Sequence, residues 1–214
     1  MRIRFDEQLE QLNKEMINMG TMIEESIGDA VKALMKQDVE LAKKVMAGDA
    51  EIDRTERKIE DLCLRLLLQQ QPVARDLRNI SAALKMVTDM ERIGDHATDI
   101  SELAIVLSQK TYVKKLDHIE EMARETMVML IQSLEAYVEK DLDKAQKVIA
   151  HDDVIDDLFE EVKQELIELI RNHADEGEQA VDLLMVTKYF ERIGDHATNI
   201  AEWVIFSITG QIAG

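Results

Sequence analysis

The sequence predicts an all-α protein made of two tandem, pseudo-repeated three-helix bundles, with six long helices in up-down topology. Only eight Gly and one Pro occur among 214 residues, whereas helix-favouring residues such as Leu, Glu, Lys and Ala predominate. Apolar residues recur at spacings of three and four, the period of an amphipathic helix. An eleven-residue motif also occurs twice, which predicts two copies of one structural unit.

The duplicated motif reads MERIGDHATDI at residues 90–100 and FERIGDHATNI at residues 190–200. Eight consecutive letters, ERIGDHAT, are identical at an offset of 100. A second pair of segments, residues 36–53 and 139–156, matches at an offset of 103. The difference between the two offsets predicts that the second hairpin is shorter than the first by three residues.

In the first repeat, predicted over residues 1–110, the opening helix is expected over residues 6–36. Its apolar positions recur every three or four residues: Leu9, Leu12, Met16, Met19, Ile23, Ile27, Ala30 and Leu34. Asp38 is the expected N-cap of the second helix, which runs to about Gln70. Pro72 disfavours helical geometry in the residue before it and is well placed to open the third helix, which is expected to end near residue 108.

The second repeat, predicted over residues 111–214, begins with a short connection and then restates the pattern. Its helices are expected over residues 117–139, 141–171 and 178–207. The segment NHADEG at residues 172–177 is the expected loop of the second hairpin.

Charge and cysteine content restrict the class of function. Lys and Arg number 26 against 44 Asp and Glu, giving a net charge of −18, which repels nucleic acid and anionic membrane surfaces and suits basic partners or cations. The single cysteine, Cys63, cannot form an internal disulfide, and no leader pattern opens the sequence, so a cytoplasmic location is expected. Apolar runs are far shorter than the ~20 residues of a membrane-spanning helix, so no direct membrane insertion is expected.

Acidic residues recur at matching places in both repeats. Within each motif they stand four residues apart and therefore share one helix face. Antiparallel helices joined by a short turn bring level those residues that lie equally far from the turn. This reflection predicts four facing pairs: Asp49 with Asp95, Asp53 with Glu91, Asp152 with Asp195, and Asp156 with Glu191.

Four facing carboxylates in each half would repel one another, so they require raised pKa values, arginine partners or a bound cation. Oxygen ligands suit hard or borderline ions such as Mg, Mn, Ca or Fe. Asp99 would add a ligand in the first half, whereas its counterpart Asn199 is a weaker neutral donor. The predicted metal ligands are Asp49, Asp53, Glu91, Asp95, Asp99, Asp152, Asp156, Glu191, Asp195 and Asn199.

The same acids have an ordinary interpretation as a solvated helix face, because they point away from a core stripe. That stripe consists of Met90, Ile93, Ala97, Ile100 and Ala104. The motif histidines, His96 and His196, either bind or tune the acidic site or, as is commoner for a helical histidine beside an acid, form hydrogen bonds at the surface.

Two other letters of the motif have competing explanations. Arg92 and Arg192 could neutralise the neighbouring acids in place of a metal, since Arg and carboxylate pair readily. Gly94 and Gly194 each cost a helix about 1 kcal/mol relative to Ala, which predicts a close approach of a neighbouring helix at those positions.

The doubled motif, with its continuations TDISELA and TNIAEWVIFSITG, resembles the PhoU family over essentially the whole chain. The resemblance implies two three-helix bundles and a cytoplasmic negative regulator that couples the phosphate ABC transporter to a membrane sensor histidine kinase. Some members carry multinuclear iron or zinc clusters on E(D)XXXD motifs. Here those motifs match Asp49 and Asp53, Glu91 and Asp95, Asp152 and Asp156, and Glu191 and Asp195.

The sequence offers no nucleophile with a base and an orienting partner, and no Gly-rich phosphate loop. The Glu-x-x-His spacing of di-iron enzymes is also missing from the motif, so we expect an adaptor rather than an enzyme. Its expected partners are the transporter ATPase and the sensor histidine kinase, through which it would lie at the membrane periphery. A metal-dependent enzyme or metal buffer, and a purely structural helical scaffold, are the alternatives, and a homodimer is left open.

Overall fold

The computed structural model describes residues 2–69 and 73–211, and the secondary structure of these residues is helical. Its six α-helices are α1 (Arg2–Lys36), α2 (Val39–Gln69), α3 (Ala74–Leu107), α4 (Asp117–Glu139), α5 (Leu142–Asn172) and α6 (Gly177–Thr209). A 3₁₀ turn, Ala174–Glu176, precedes α6. The predicted all-α fold with six long helices is confirmed.

Two predicted helix starts differ from the structure. α1 begins at Arg2 rather than near residue 6, because Phe5 is buried and extends the apolar stripe by a turn. α3 begins at Ala74, and the expected role of Pro72 in opening it lies outside the described residues. The remaining ends agree with the prediction within two residues, the usual spread of helix assignment.

The turns between the first two helices of each half are alike. Gln37 and Lys140, which occupy the same position of the repeat, both adopt left-handed backbone conformations, with φ of 53° and 54°. The next residues, Asp38 and Asp141, cap the following helices, each accepting a hydrogen bond from the backbone N–H three residues ahead, at 3.0 and 2.9 Å. The expected N-cap at Asp38 is therefore confirmed, and the repeat preserves both the turn and its cap.

The central helices of the molecule are α3 and α6. α1 packs on α2 and α3, and α4 packs on α5 and α6, so each half is a three-helix bundle. The halves meet mainly along α3 and α6, and less extensively along α1 and α4. Buried apolar residues from both halves form one continuous core. Both copies of the motif therefore lie on the helix pair that joins the halves.

Hydrogen bonds tie the connection between the halves to both of them. Gln37 Nε2 donates to the carbonyl oxygens of Leu107 and Lys110, at 2.8 and 2.7 Å. The backbone N–H of Val113 donates to Gln179 Oε1 on α6, at 2.9 Å. The connection is thus held by the turn after α1 at one end and by α6 at the other.

The core stripe predicted for α3 is buried as expected: Met90, Ile93, Ala97, Ile100 and Ala104 are each at most 2% exposed. The acids of the motif lie beside this stripe and are partly exposed. Among the helices of residues 2–69 and 73–211, none combines the length and the apolar character that a transmembrane segment requires.

Candidate metal-binding faces and the histidine pair between the halves

The glycine of each motif allows a neighbouring helix to approach closely. A Cβ placed on Gly94 would lie 3.2 Å from side-chain atoms of Ile52 on α2. On Gly194 it would lie 3.4 Å from Ile155 on α5 and 3.5 Å from Asp152 Oδ1. Ile52 and Ile155 are equivalent in the repeat, so the two hairpins pack in the same register, as predicted. This register brings the acidic residues of each hairpin together.

The first acidic face, between α2 and α3, consists of Asp49, Asp53, Glu56, Glu91 and Asp95. Burial raises the pKa of Asp49, and the charges of Asp53 and Asp95 raise it further. Burial also raises the pKa of Glu91, assisted by Asp95 and Asp53. The residues predicted to face one another therefore lie close enough to oppose each other's ionisation.

The second acidic face, between α5 and α6, consists of Asp152, Asp156, Glu191 and Asp195. Burial raises the pKa of Asp152, followed by the charges of Asp195 and Asp156. Burial likewise raises the pKa of Asp195, with Glu191 and Asp156 contributing. The arrangement of the first half thus recurs in the second.

Sequence reasoning missed Glu56. Its pKa is raised to about 7 by burial first and then by the charges of Glu91, Glu60 and Asp53. The available signal was its position three residues after Asp53, which places both on one face of α2. A search for carboxylates present in both halves passes over it, because the equivalent position of the second half is Phe159.

A different basic residue pairs with the carboxylates of each face. Arg92 donates to Asp95 at 2.8 Å and lies 3.5 Å from Glu91, so the predicted arginine neutralisation operates on the first face. On the second face Lys188 pairs with Glu191 and lies 5.4 Å from the centre of the Phe159 ring. Arg192 forms no ion pair with the described residues, and it is exposed.

A buried hydroxyl lies beside the leading aspartate of each face. Thr98 Oγ1 and Thr198 Oγ1 are buried without a well-formed hydrogen bond to any described residue. Each nevertheless interacts with its aspartate, Asp49 or Asp152, and offsets part of the rise in that carboxyl's pKa. Each face therefore has, besides its carboxylates, one hydroxyl oxygen without a well-formed hydrogen bond.

The donor chemistry of both faces fits a hard or borderline cation. Partly buried carboxylates with raised pKa values gain from a cation, since it relieves both repulsion and desolvation. Carboxylate and hydroxyl oxygens are the ligands that such ions prefer. Within residues 2–69 and 73–211, no three His, Cys, Asp or Glu side chains converge closely enough to hold a metal ion as they stand. The side chains of a face must therefore turn toward one another to bind one.

Two of the predicted ligands contact other groups. Asp99 Oδ2 lies 3.1 Å from His96 Nδ1, although its charge still raises the pKa of Asp49. Asn199 Nδ2 donates to Asp89 Oδ1 at 3.1 Å, across the boundary between the halves. The structure therefore places both side chains toward the α3–α6 boundary, whereas the other eight predicted ligands lie on the two faces.

The motif histidines meet at that boundary, which the sequence did not reveal. The expectation of a surface position is wrong for His96, because α6 covers it and leaves it 7% exposed. Its ring centre lies 5.6 Å from that of His196 and 5.4 Å from that of Tyr189, which stacks on it. Burial lowers the pKa of His96, while Asp99 opposes that effect. His196 Nδ1 lies 2.8 Å from Asp89 Oδ1.

Comparison with known proteins gives matches over nearly the whole chain. The family model described as the PhoU domain matches residues 16–104 and 119–204. A phosphate-specific transport system accessory protein PhoU homolog of Clostridium acetobutylicum is 40% identical over 97% of this chain and 95% of its own length. The phosphate-specific transport system accessory protein PhoU of Escherichia coli K12 is 30% identical over 97% of this chain and 86% of its own.

Two solved structures of PhoU proteins superpose closely on this chain. The crystal structure of PhoU from Pseudomonas aeruginosa superposes with a TM-score of 0.93 at 32% identity, covering 97% of this chain and 100% of that one. The phosphate transport system regulatory protein PhoU from Streptococcus pneumoniae superposes with a TM-score of 0.92 at 26% identity, covering 98% and 99%.

Proposed function

Because this chain belongs to the PhoU family, we propose that it is a regulatory adaptor that negatively regulates phosphate uptake and phosphate-starvation signalling. In this role it couples the ATPase of a phosphate ABC transporter to a sensor histidine kinase, from the cytoplasmic side and at the membrane periphery. The observation that carries the proposal is similarity over nearly the whole chain, at 40% identity, to a phosphate-specific transport system accessory protein.

The adaptor role has a direct test. Deleting the gene should raise phosphate uptake and kinase output at high phosphate, and the wild-type gene should restore both. The purified protein should bind the transporter ATPase and the cytoplasmic part of the kinase in separate pull-downs at high phosphate. Failure to bind either partner, together with unchanged uptake in the deletion strain, would overturn the proposal.

The two acidic faces are the proposed cation sites of the adaptor. Asp49, Asp53, Glu91 and Asp95 would hold ions on the first face, and Asp152, Asp156, Glu191 and Asp195 on the second. Asp99 and Asn199 would join them only by leaving His96 and Asp89. Iron or zinc clusters are the expected occupants, and other divalent ions suit the same oxygens. A bound ion would supply charge neutralisation to carboxylates that now oppose one another's ionisation.

Ion binding gives these faces a way to influence partner affinity. The carboxylates of each face stand on two helices, α2 and α3 or α5 and α6, so an ion held between them joins the helices of one hairpin. It also removes negative charge from the surface that a partner meets. Partner affinity is therefore proposed to depend on ion occupancy.

Metal analysis and partner binding together test this second part. Protein purified without chelator should contain several metal ions, and Asp49→Asn with Asp152→Asn should lose those bound at the faces, whereas Glu121→Gln on the outer side of α4 should retain them. Partner affinity should fall after chelation in the wild type. Equal affinities before and after chelation would reject the ions as a switch while leaving the adaptor role in place.

A metal buffer or metal-dependent enzyme remains the alternative, favoured by the presence of two carboxylate faces with raised pKa values. A metal buffer would control phosphate uptake through metal binding alone, without protein partners. A metal-dependent enzyme would do so through hydrolysis, which a panel of esters and phosphoesters would detect. Retention of phosphate control by a variant that binds no partner would favour this alternative.

A further inference from the structure

The two motif histidines lie side by side in a cleft between α3 and α6. Asp95 of the first acidic face and Asp195 of the second also line this cleft. The cleft has a volume of about 610 Å³, and both histidines line it. Their ring centres are 5.6 Å apart. Two imidazoles that bind one tetrahedral ion through metal–nitrogen bonds of about 2.0–2.1 Å have ring centres roughly 5–6 Å apart. The spacing therefore suits a shared ion.

A carboxylate holds the Nδ1 atom of each ring. Asp99 Oδ2 lies 3.1 Å from His96 Nδ1, and Asp89 Oδ1 lies 2.8 Å from His196 Nδ1. An ionised carboxylate only accepts hydrogen bonds, so each Nδ1 carries a hydrogen, and in the corresponding tautomer of imidazole the lone pair is on Nε2. Histidines that bind metals through Nε2 are commonly oriented by such a carboxylate.

Each motif histidine has a carboxylate at Nδ1, although the two carboxylates do not occupy equivalent positions of the repeat. The position equivalent to Asp99 is Asn199, and the position equivalent to Asp89 is Tyr189. Both carboxylates therefore come from α3, with Asp89 reaching His196 on α6. Asn199 donates to the same Asp89 oxygen and so helps to hold it in place.

Both Nε2 atoms are available to a ligand. Within residues 2–69 and 73–211, neither Nε2 has a hydrogen-bond or ion-pair partner, since both rings bond only through Nδ1. Neither atom is among the polar side-chain atoms that are sealed from solvent without a partner. Each Nε2 atom therefore keeps some contact with solvent, on a side chain that lines the cleft.

The charge of the cleft favours a cation. Asp95, Asp99 and Asp195 line it together with Arg92 and Arg192, and Arg92 is already paired with Asp95. Asp89 adds a fourth carboxylate behind His196. Imidazole ligands select Zn²⁺, Cu²⁺ and Ni²⁺ over the hard ions that carboxylates alone prefer.

We propose that His96 and His196 bind a single borderline transition-metal ion through their Nε2 atoms, with water completing its coordination. These ligands are imidazoles, whereas the proposed ligands of the neighbouring acidic faces are carboxylates. Because the histidines stand on α3 and α6, the ion fastens one half of the molecule to the other. The site does not depend on the regulatory role or on ion binding by the faces.

Copper provides the spectroscopic test. One equivalent of Cu²⁺, added to the full chain in excess Mg²⁺, should give an electron paramagnetic resonance spectrum with nitrogen hyperfine coupling from two imidazoles. His96→Gln and His196→Gln should each remove one imidazole and weaken Cu²⁺ binding at least about tenfold, since losing even the carboxylate behind a ligating histidine costs 10–100-fold. His151→Gln, which alters a histidine paired with Glu125 between α4 and α5, should change neither.

A measurement on the wild-type protein covers the case in which a variant fails to fold. Substoichiometric Cu²⁺ should broaden the imidazole nuclear magnetic resonances of His96 and His196 before those of the other three histidines. Coupling to one imidazole or none, or first broadening at His118, His151 or His173, would overturn the proposal.

Discussion

Glu56 on α2 and Phe159 on α5 occupy the same position of the repeat, and the exchange gives the two acidic faces different charges. Glu56 adds a carboxylate whose pKa is raised to about 7, by burial and by Glu91. Phe159 instead underlies the ammonium group of Lys188, which pairs with Glu191. Thr88 stands at the position of Lys188 in the first half, so the lysine has no counterpart there.

The first prediction is that Glu56 strengthens divalent-cation binding at the first face. With the second face disabled by Asp152→Asn and Asp195→Asn, Glu56→Gln should lower Mn²⁺ affinity by roughly tenfold, as expected for the loss of a close charge or ligand. Glu51→Gln changes an exposed residue of the same helix, paired with Arg54, and should have little effect. Mn²⁺ titration by electron paramagnetic resonance measures both affinities, and equal values for the two variants would contradict the assignment of Glu56.

The second prediction concerns the lysine that occupies the second face. Lys188→Thr introduces the residue found in the first half, removes the cation beside Glu191 and should raise Mn²⁺ affinity at the second face several-fold. Lys163→Thr removes a similar ion pair, with Glu160, on the outer side of α5 and serves as the control. An unchanged affinity in Lys188→Thr would show that the ammonium group does not compete with a bound ion.

The third prediction is a loss of stability with rising pH in the metal-free protein. A carboxyl whose folded pKa lies above its unfolded value destabilises the fold once it is ionised, so the cost of Glu56 is absent below about pH 4.5 and complete above about pH 7. Glu56→Gln should therefore raise the free energy of unfolding by about 1 kcal/mol at pH 8, a value reduced for the partial exposure of the side chain, and change it little at pH 4. Urea denaturation with a chelator present measures the difference, and an equal gain at both pH values would contradict the titration.

The fourth prediction compares three glycines within helices. Gly94→Ala places a methyl group 3.2 Å from Ile52 and should lower the free energy of unfolding by about 1–2 kcal/mol, because overpacking exceeds the gain in helix propensity. Gly194→Ala meets Ile155 at 3.4 Å and should be milder. Gly48→Ala meets no atom within 4 Å and should stabilise the protein by about 0.5–1 kcal/mol. Urea denaturation measures all three, and a destabilised Gly48→Ala would undermine the interpretation.

The features within each hairpin followed from the sequence. The period of the apolar residues predicted the helices, and reflection through the turns predicted that Asp49 lies near Asp95 and that Asp152 lies near Asp195. These relations depend on local geometry and on a short loop, so residue spacing is sufficient. Gly94 likewise predicted the close approach that Ile52 makes.

Relations between the hairpins could not be obtained in this way. His96 looked like a surface residue because helix periodicity describes the face of one bundle, whereas α6 of the other bundle covers that face. The contact of His196 with Asp89 joins residues 107 positions apart, and spacing does not encode how α3 and α6 lie against each other. Glu56 was missed for another reason. Comparison of the two repeats identifies residues that both share, whereas the position equivalent to Glu56 in the second repeat is Phe159.

The continuous core has a consequence for how such a molecule is built. Part of the core of each three-helix unit is buried against the other unit, so a separate unit would expose an apolar side of α3 or α6 to water. In this chain the second copy of the unit covers that side. Joining two copies in one polypeptide keeps this neighbour at a permanently high effective concentration. It also frees the two copies to diverge, as a paired homodimer of identical chains cannot, into one half with Glu56 and another with Lys188.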